Sequence, residues 1–222
     1  MPVSILPVSG KTEDALCENV TNLAQTLSGS EGELVEIAQT LQQGRDEFIY
    51  RAAIVSDDLQ DATAALTEKK PPRFMKRKAT ASARDVVFMF PGQGSQYVRM
   101  GQNFYDHSEV FRENLDKCAE ILKPLLGHDL RDILFPKAGN EEAATEILKN
   151  TQFTQPALFS LGYSLAQVWL AWGVEPTALM GHSIGEFAAA CTAGVFELED
   201  GLKIIAERGR AMQALPLSLI HI

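Results

Sequence analysis

Hydrophobic positions in the first seventy residues recur with two different periods. Val3-Ser4-Ile5-Leu6-Pro7-Val8 is a short strand candidate that stops at Ser9-Gly10. Leu16, Val20, Leu23 and Leu27 then fall at helical spacing, and Leu34, Ile37, Ala38 and Leu41 repeat it. Residues 48–55 are rich in aromatic and β-branched side chains and predict a second strand. Leu59, Ala62, Ala65 and Leu66 mark one face of a further helix. This is the pattern of a small α+β unit, and none of its residues forms a chemical motif.

The run Lys69-Lys70-Pro71-Pro72-Arg73-Phe74-Met75-Lys76-Arg77-Lys78 and residues 79–83 read as a solvated linker. Beyond it the pattern changes. Asp85-Val86-Val87-Phe88-Met89-Phe90 is nearly all apolar, as expected of a strand buried on both faces of a parallel sheet. Helical periodicity follows at about 108–122 and 143–149. A third helix is predicted to begin at Thr154-Gln155-Pro156, with Thr154 as its cap and Pro156 in its first turn. A short strand, Thr177-Ala178-Leu179-Met180, comes after the turn Gly173-Val174-Glu175-Pro176. Strand, helix, strand, helix predicts an α/β sheet with right-handed crossovers.

Two glycine-rich turns in this half carry candidate chemistry. Gly181-His182-Ser183-Ile184-Gly185 fits G-x-S-x-G between a strand and a helix-compatible run, the setting of a nucleophile elbow. Such a turn exposes the Ser183 hydroxyl and aims a helix N-terminus at it, so the Ile184 N–H can stabilise an oxyanion. A second donor is needed. The N–H of Gln93, between two glycines in Phe90-Pro91-Gly92-Gln93-Gly94-Ser95-Gln96, is the candidate, because open α/β sheets place ligands at the carboxyl ends of their strands. The loop matches neither phosphate-binding pattern, and on its residues alone a plain turn is an equal reading. His182 adjoins the serine, but neighbouring side chains at a sharp elbow diverge, so it is not assigned as the base.

Composition narrows the function classes. The 222 residues are 45% hydrophobic and 22% charged, enough for one large or two small domains with a real core. With 29 acidic against 20 basic side chains, the net charge is −9. No Lys/Arg stripe dominates, which argues against nucleic acid as a partner. Cys17, Cys118 and Cys191 are scattered and form neither a disulfide framework nor a metal-ligand spacing, pointing to reduced thiols in the cytoplasm. The opening Met1-Pro2-Val3-Ser4-Ile5 lacks the basic and apolar regions of a signal peptide. Residues 157–172 are apolar but interrupted by Ser160, Gly162, Ser164 and Gln167, which predicts a buried helix and no membrane span.

Four motifs in order carry a family resemblance: residues 90–96, Thr154-Gln155-Pro156-Ala157, Gly181-His182-Ser183-Ile184-Gly185-Glu186 and Arg208-Gly209-Arg210-Ala211-Met212-Gln213. The sequence resembles the malonyl-CoA:acyl carrier protein transacylases, and most of all the acyltransferase domain of a modular type I polyketide synthase. The resemblance implies a ketosynthase-to-acyltransferase linker over 1–80, the N-terminal part of the acyltransferase over 85–216 and an unrelated tail over 217–222. It implies ping-pong transfer of a malonyl-type unit from acyl-CoA to Ser183, then to the phosphopantetheine thiol of an acyl carrier protein, with no bound cofactor and no metal. Gln93 and Ile184 would supply the oxyanion hole. Arg208 would clamp the free carboxylate, which a planar guanidinium pairs through two parallel hydrogen bonds. His182 would line the acyl pocket. Gln155 would face it, or would be a buried amide at a helix start. An aliphatic residue at Ile184 accompanies malonyl over methylmalonyl selection in that family. The neighbouring ketosynthase is an implied partner.

The chain departs from the family downstream. The general-base histidine expected after a ferredoxin-like subdomain is not matched by His107, His128, His182 or His221. The expectation is therefore a truncated acyltransferase whose isolated chain has little activity. Three other readings stand beside it. They are a stand-alone fatty-acid-type malonyl transacylase, a serine hydrolase of α/β-hydrolase type, and a non-catalytic docking fragment.

Overall fold

The computed structural model describes residues 3–30, 32–80 and 85–215. The chain divides into two compact units, residues 1–84 and 85–222. Residues 81–83 of the expected linker and residues 217–222 of the expected tail lie outside the described residues.

In the first unit, strands β1 (Ser4–Gly10), β2 (Tyr50–Ser56) and β3 (Phe74–Lys78) form an antiparallel sheet in that order. Helices α1 (Glu13–Ser28), α2 (Leu34–Gln43) and α3 (Leu59–Glu68) complete it. Every second residue of β1 (Ser4, Leu6, Val8, Gly10) is buried. Leu6, Val8, Ala52 and Ile54 join Leu16, Val20, Leu27, Ala62 and Leu66 in one core. Thr12 caps α1 by accepting from the Ala15 N–H, and Asp58 caps α3 by accepting from the Asp61 N–H.

The Lys/Arg-rich run is where the sequence reading fails. Read as linker, it contains β3, which pairs with β2 from Ile54↔Phe74 to Tyr50↔Lys78. Only Phe74 is buried, and the other four residues are exposed. An edge strand held by one apolar anchor has the composition of a linker, and its cations discourage further pairing at the edge.

The second unit contains β4 (Val87–Phe90) and β5 (Ala178–Gly181), α4 (Gln102–His107), α5 (Glu109–Leu126), α6 (Leu130–Leu134), α7 (Glu141–Leu148), α8 (Thr151–Ala171), α9 (Ile184–Thr192) and α10 (Leu198–Gln213). β4 and β5 are parallel, with Val87 opposite Ala178 and Phe90 opposite Gly181. α8 is apolar nearly all round, as a helix surrounded by protein must be. Its Phe153, Ala157, Phe159 and Leu161 share a core with Phe111, Leu115 and Leu122 of α5, Ile184 and Ala188 of α9, and Leu202 and Ile205 of α10.

Two further expectations are corrected here. β4 is not buried on both faces: Met89 is 74% exposed and Val87 47%, and Met180 beside them is 53% exposed. Among the described residues the sheet has two strands, so its second face and the outer edge of β4 are left open. That edge forms a trough of about 540 Å3 with Leu165, Ala166 and Trp169. Helix α8 also begins three residues before the predicted Thr154, with Asn150 as its cap residue. The Thr154 hydroxyl is buried and donates to the Leu148 carbonyl at 2.6 Å and the Asn150 carbonyl at 3.1 Å. Pro156 therefore sits one full turn inside the helix, leaving the Gln152 carbonyl without its usual donor. The short α4 and α6 went unseen in the sequence because one or two turns show no period.

Candidate active site

The register of β4 against β5 brings two chain segments that are ninety residues apart to the same end of the sheet. Phe90 pairs with Gly181, and the Phe90 carbonyl accepts from the His182 N–H at 3.1 Å. The chain then turns abruptly into α9. Ser183 holds φ 54° and ψ −114°, a conformation that non-glycine residues rarely adopt, at a cost of about 1–3 kcal/mol. The Gly185 N–H donates to the His182 carbonyl and the Glu186 N–H to the Ser183 carbonyl, both at 3.0 Å. The Ile184 N–H opens α9 and has no partner within the helix. Ile184 is fully buried, so what it presents at the turn is this backbone donor.

The turn needs its glycines because chain meets chain. A Cβ on Gly181 would strike the Gly185 carbonyl group and the Glu186 nitrogen, and one on Gly185 would strike the Phe90 and Pro91 carbonyls. A Cβ on Gly92 would collide with the His182 ring. The loop after β4 therefore lies directly on the elbow. Within it the Gly94 N–H donates to Gln96 Oε1 at 2.7 Å and the Ser95 hydroxyl to the Gly92 carbonyl at 3.1 Å. Gln93 is exposed and its side-chain Nε2 donates to Thr151 Oγ1 at 3.2 Å. Thr151 is in turn fixed where its N–H donates to Gln213 Oε1 of α10, at 2.7 Å.

Arg208 comes to the serine from α10. It lies inside α10, which continues to Gln213. Its Nη1 donates to Gln155 Oε1 at 2.5 Å, its Nη2 to the Ser183 hydroxyl at 3.4 Å, and its Cζ stands 5.5 Å from the centroid of the Phe187 ring. Gln155 is 1% exposed and its Nε2 donates to Met212 Sδ at 3.2 Å, which fixes which end of the amide meets the arginine. Gln155 is thus a buried amide near the start of α8 that holds the Arg208 guanidinium. Arg99, Arg131 and Arg210 each pair with a carboxylate. Half-buried Arg208 has only neutral partners among the described residues.

Of the predicted site residues, the structure thus joins Ser183, Arg208 and Gln155 by hydrogen bonds and sets the Gln93 loop and His182 beside them. His182 is exposed and makes no hydrogen bond to the Ser183 hydroxyl among the described residues. Three contributors escaped the sequence reading: Phe187, Met212 and Thr151. The first two had a legible signal. Phe187 is four residues after Ser183 and Met212 four after Arg208, one helical turn in each case. Thr151 had none, because its role depends on where α8 begins.

No helix among the described residues is long and apolar enough to cross a membrane. Residues 87–218 match the family described as acyl transferase domain, and residues 4–66 match the family described as CurL-like, PKS C-terminal. Erythronolide synthase EryA2 of Saccharopolyspora erythraea is 37% identical over 212 residues, which cover 94% of this chain and 6% of that protein. The acyl transferase domain of ZmaA superposes with a TM-score of 0.90 at 37% identity, over 97% of this chain and 50% of that one. The acyl transferase domain of SpnD in complex with 2-(pent-4-yn-1-yl)malonyl gives a TM-score of 0.78 at 35% identity, over 94% and 48%. The chain therefore spans about half the length of these solved domains and a small fraction of the synthase.

Proposed function

Because the chain belongs to the acyl transferase domain family of modular type I polyketide synthases, we propose that Ser183 carries a malonyl-type acyl group between two thiols. The Ser183 oxygen attacks the thioester carbonyl of an acyl-CoA and loses its proton to a base. The C–S bond breaks, and the CoA thiolate leaves and takes up a proton. In the second half the phosphopantetheine thiol of an acyl carrier protein gives up its proton and attacks the serine ester, and the C–O bond breaks to restore the hydroxyl. No resident cofactor takes part.

Each tetrahedral intermediate places negative charge on the former carbonyl oxygen. The Ile184 N–H at the start of α9, which has no partner among the described residues, supports a role in holding that charge. The Gln93 N–H is the second donor in this reading, supported by the packing of Gly92 against His182 and the tether of Gln93 to Thr151. His182 walls this side of the acyl pocket.

One observation carries the choice of substrate. Arg208 is a half-buried cation without a carboxylate partner among the described residues, and one of its two fork nitrogens already reaches the nucleophile. A group that binds there while its thioester is attacked must itself bring the negative charge, and a malonyl carboxylate does so. A plain serine hydrolase gives no reason for such an arginine. The selection of malonyl over methylmalonyl gains nothing from exposure of Ile184, whose side chain lies in the core.

His107, His128 and His182 make no hydrogen bond to the Ser183 hydroxyl, so we expect residues 1–222 alone to turn over poorly and test the reading by binding. Calorimetry should show malonyl-CoA bound more tightly than acetyl-CoA, with the difference abolished in Arg208→Ala. Equal affinity in the unaltered chain would remove the carboxylate reading. Residues 1–80 are assigned the role of a ketosynthase-to-acyltransferase linker, a reading that the match over 4–66 supports.

A further inference from the structure

The contact between Arg208 and Phe187 has no place in the acyl-transfer scheme, yet it settles how the arginine can be used. Phe187 lies one turn into α9, half-buried, and packs against the core of the second unit. Arg208 reaches over its ring from α10, with Cζ at 5.5 Å from the centroid. The bond from Nη1 to Gln155 Oε1, at 2.5 Å, fixes one corner of the guanidinium. A single bond of that kind leaves the plane free to turn about the donor–acceptor line. The 3.4 Å approach of Nη2 to the Ser183 hydroxyl is too long to prevent it.

An aromatic face beneath the cation supplies the missing restraint. The ring's quadrupole attracts a cation lying over it within about 6 Å. It also occupies the side of the cation that faces α9, so an anion pairs with the N–H groups left on the other sides. With Nη1 tied to Gln155 and the cation standing over the Phe187 ring, Nη2 is the corner left toward Ser183.

We propose that Phe187 is a positioning residue for the carboxylate end of the acyl donor: its ring sets the plane of the Arg208 guanidinium, so that bidentate pairing leaves the thioester carbonyl over the Ser183 hydroxyl. This rests on the roles given above to Ser183 and Arg208. The ring touches neither reacting atom, and its effect passes through the arginine. It follows that the loss should be specific to donors with a free carboxylate, and that a second aromatic side chain should restore it.

Two measurements on the full 222-residue chain decide the matter. The first is the 1H–15N spectrum of the arginine side chains, with Arg208 assigned by the signal lost in Arg208→Lys. Its Nε–Hε resonance should be displaced by the ring current in the unaltered chain and in Phe187→Tyr. In Phe187→Leu it should move toward the position of an ordinary exposed arginine. No movement in Phe187→Leu would overturn the contact between cation and ring. The second is calorimetry with malonyl-CoA and acetyl-CoA. Phe187→Leu should weaken malonyl-CoA about fivefold, equivalent to about 1 kcal/mol, while acetyl-CoA affinity is unchanged and Phe187→Tyr binds as the unaltered chain does. Equal weakening of both donors would show the ring to be merely structural and would overturn the proposal. Equal affinity of the unaltered chain for both donors would remove the carboxylate reading itself, and the role of the ring with it.

Discussion

Replacing Gly185 by alanine sets two physical effects against each other. Gly185 is the second residue of α9, and intrinsic propensity alone makes alanine better there by about 1 kcal/mol. The space is not available, however. The new methyl carbon would stand 2.7 Å from the Phe90 carbonyl carbon and 2.8 Å from the Pro91 oxygen, and would overlap the Phe90 oxygen. These are backbone atoms, and the Phe90 carbonyl is itself held by the His182 N–H at 3.1 Å. Relief requires the start of α9 to move off the end of β4. Overpacking of this kind costs about 1–3 kcal/mol, and weakening the Phe90–His182 bond adds about 1 kcal/mol. After the propensity gain, the net loss is about 1–3 kcal/mol. For a unit of this size that lowers the melting temperature by about 3–9 °C, at about 3 °C per kcal/mol. Both tryptophans, Trp169 and Trp172, belong to the second unit, so their emission during thermal or urea unfolding follows that unit alone. Gly194→Ala is the control: at φ 75° it is strained, but nothing lies within 4 Å of its Cβ position, so it should lose only about 1–2 kcal/mol. If Gly185→Ala matched or exceeded the stability of the unaltered chain, the close approach of elbow and strand would be wrong.

Four more outcomes follow from the packing. The Arg131 guanidinium hydrogen-bonded to Asp129 holds that carboxyl far below the usual carboxylate range, with Lys123 adding to it. A lowered folded value gives stability that is full above the unfolded value near 3.9 and lost as pH falls. The urea midpoint of the second unit should therefore drop below about pH 4, and the same acid dependence persisting in Asp129→Asn would contradict this. Burial pushes the Cys118 thiol up to about 12 and the Cys191 thiol up to about 11, whereas Cys17 is exposed. A thiol reagent at neutral pH should modify Cys17 alone in the native chain, which peptide mapping would check. Raised folded values also mean that the second unit loses stability as pH climbs past about 8.5, the ordinary thiol value. Thr154→Val should cost about 1–3 kcal/mol by stranding the Leu148 carbonyl, and Thr154→Ser should recover most of it in the same unfolding assay.

Most of the regular elements could be read from periodicity. The spacing of Leu16, Val20, Leu23 and Leu27 gave α1, and the glycine and serine pattern at 181–185 gave the elbow, because a strand-to-helix reversal admits few residue types. The errors share a cause. β3, the open face of β4 and the first turn of α8 each depend on what lies beside the element. Phe74 identifies β3 only once β2 is there to pair with it. Met89 looks like core until the sheet is seen to lack a cover on that side among the described residues.

The sequence by itself determined that a serine stands at a sharp turn between a strand and a helix, and that a glycine-flanked glutamine follows an earlier strand. Those are local facts, fixed by backbone sterics at Ser183 and by the glycines around it. Arg208 is different. Twenty-five residues from the serine and flanked by Glu207 and Arg210, it has the local look of a surface charge. The family resemblance singled it out, but its own residues did not; physically it is the packing of α10 against α8 and α9 that separates it from Arg210, which is exposed and pairs with Glu207. The same packing set Arg208 between a buried amide, an aromatic ring and the serine hydroxyl. A side chain's electrostatic role depends on its neighbours in space, and those are chosen by how helices pack, which no window along the chain contains.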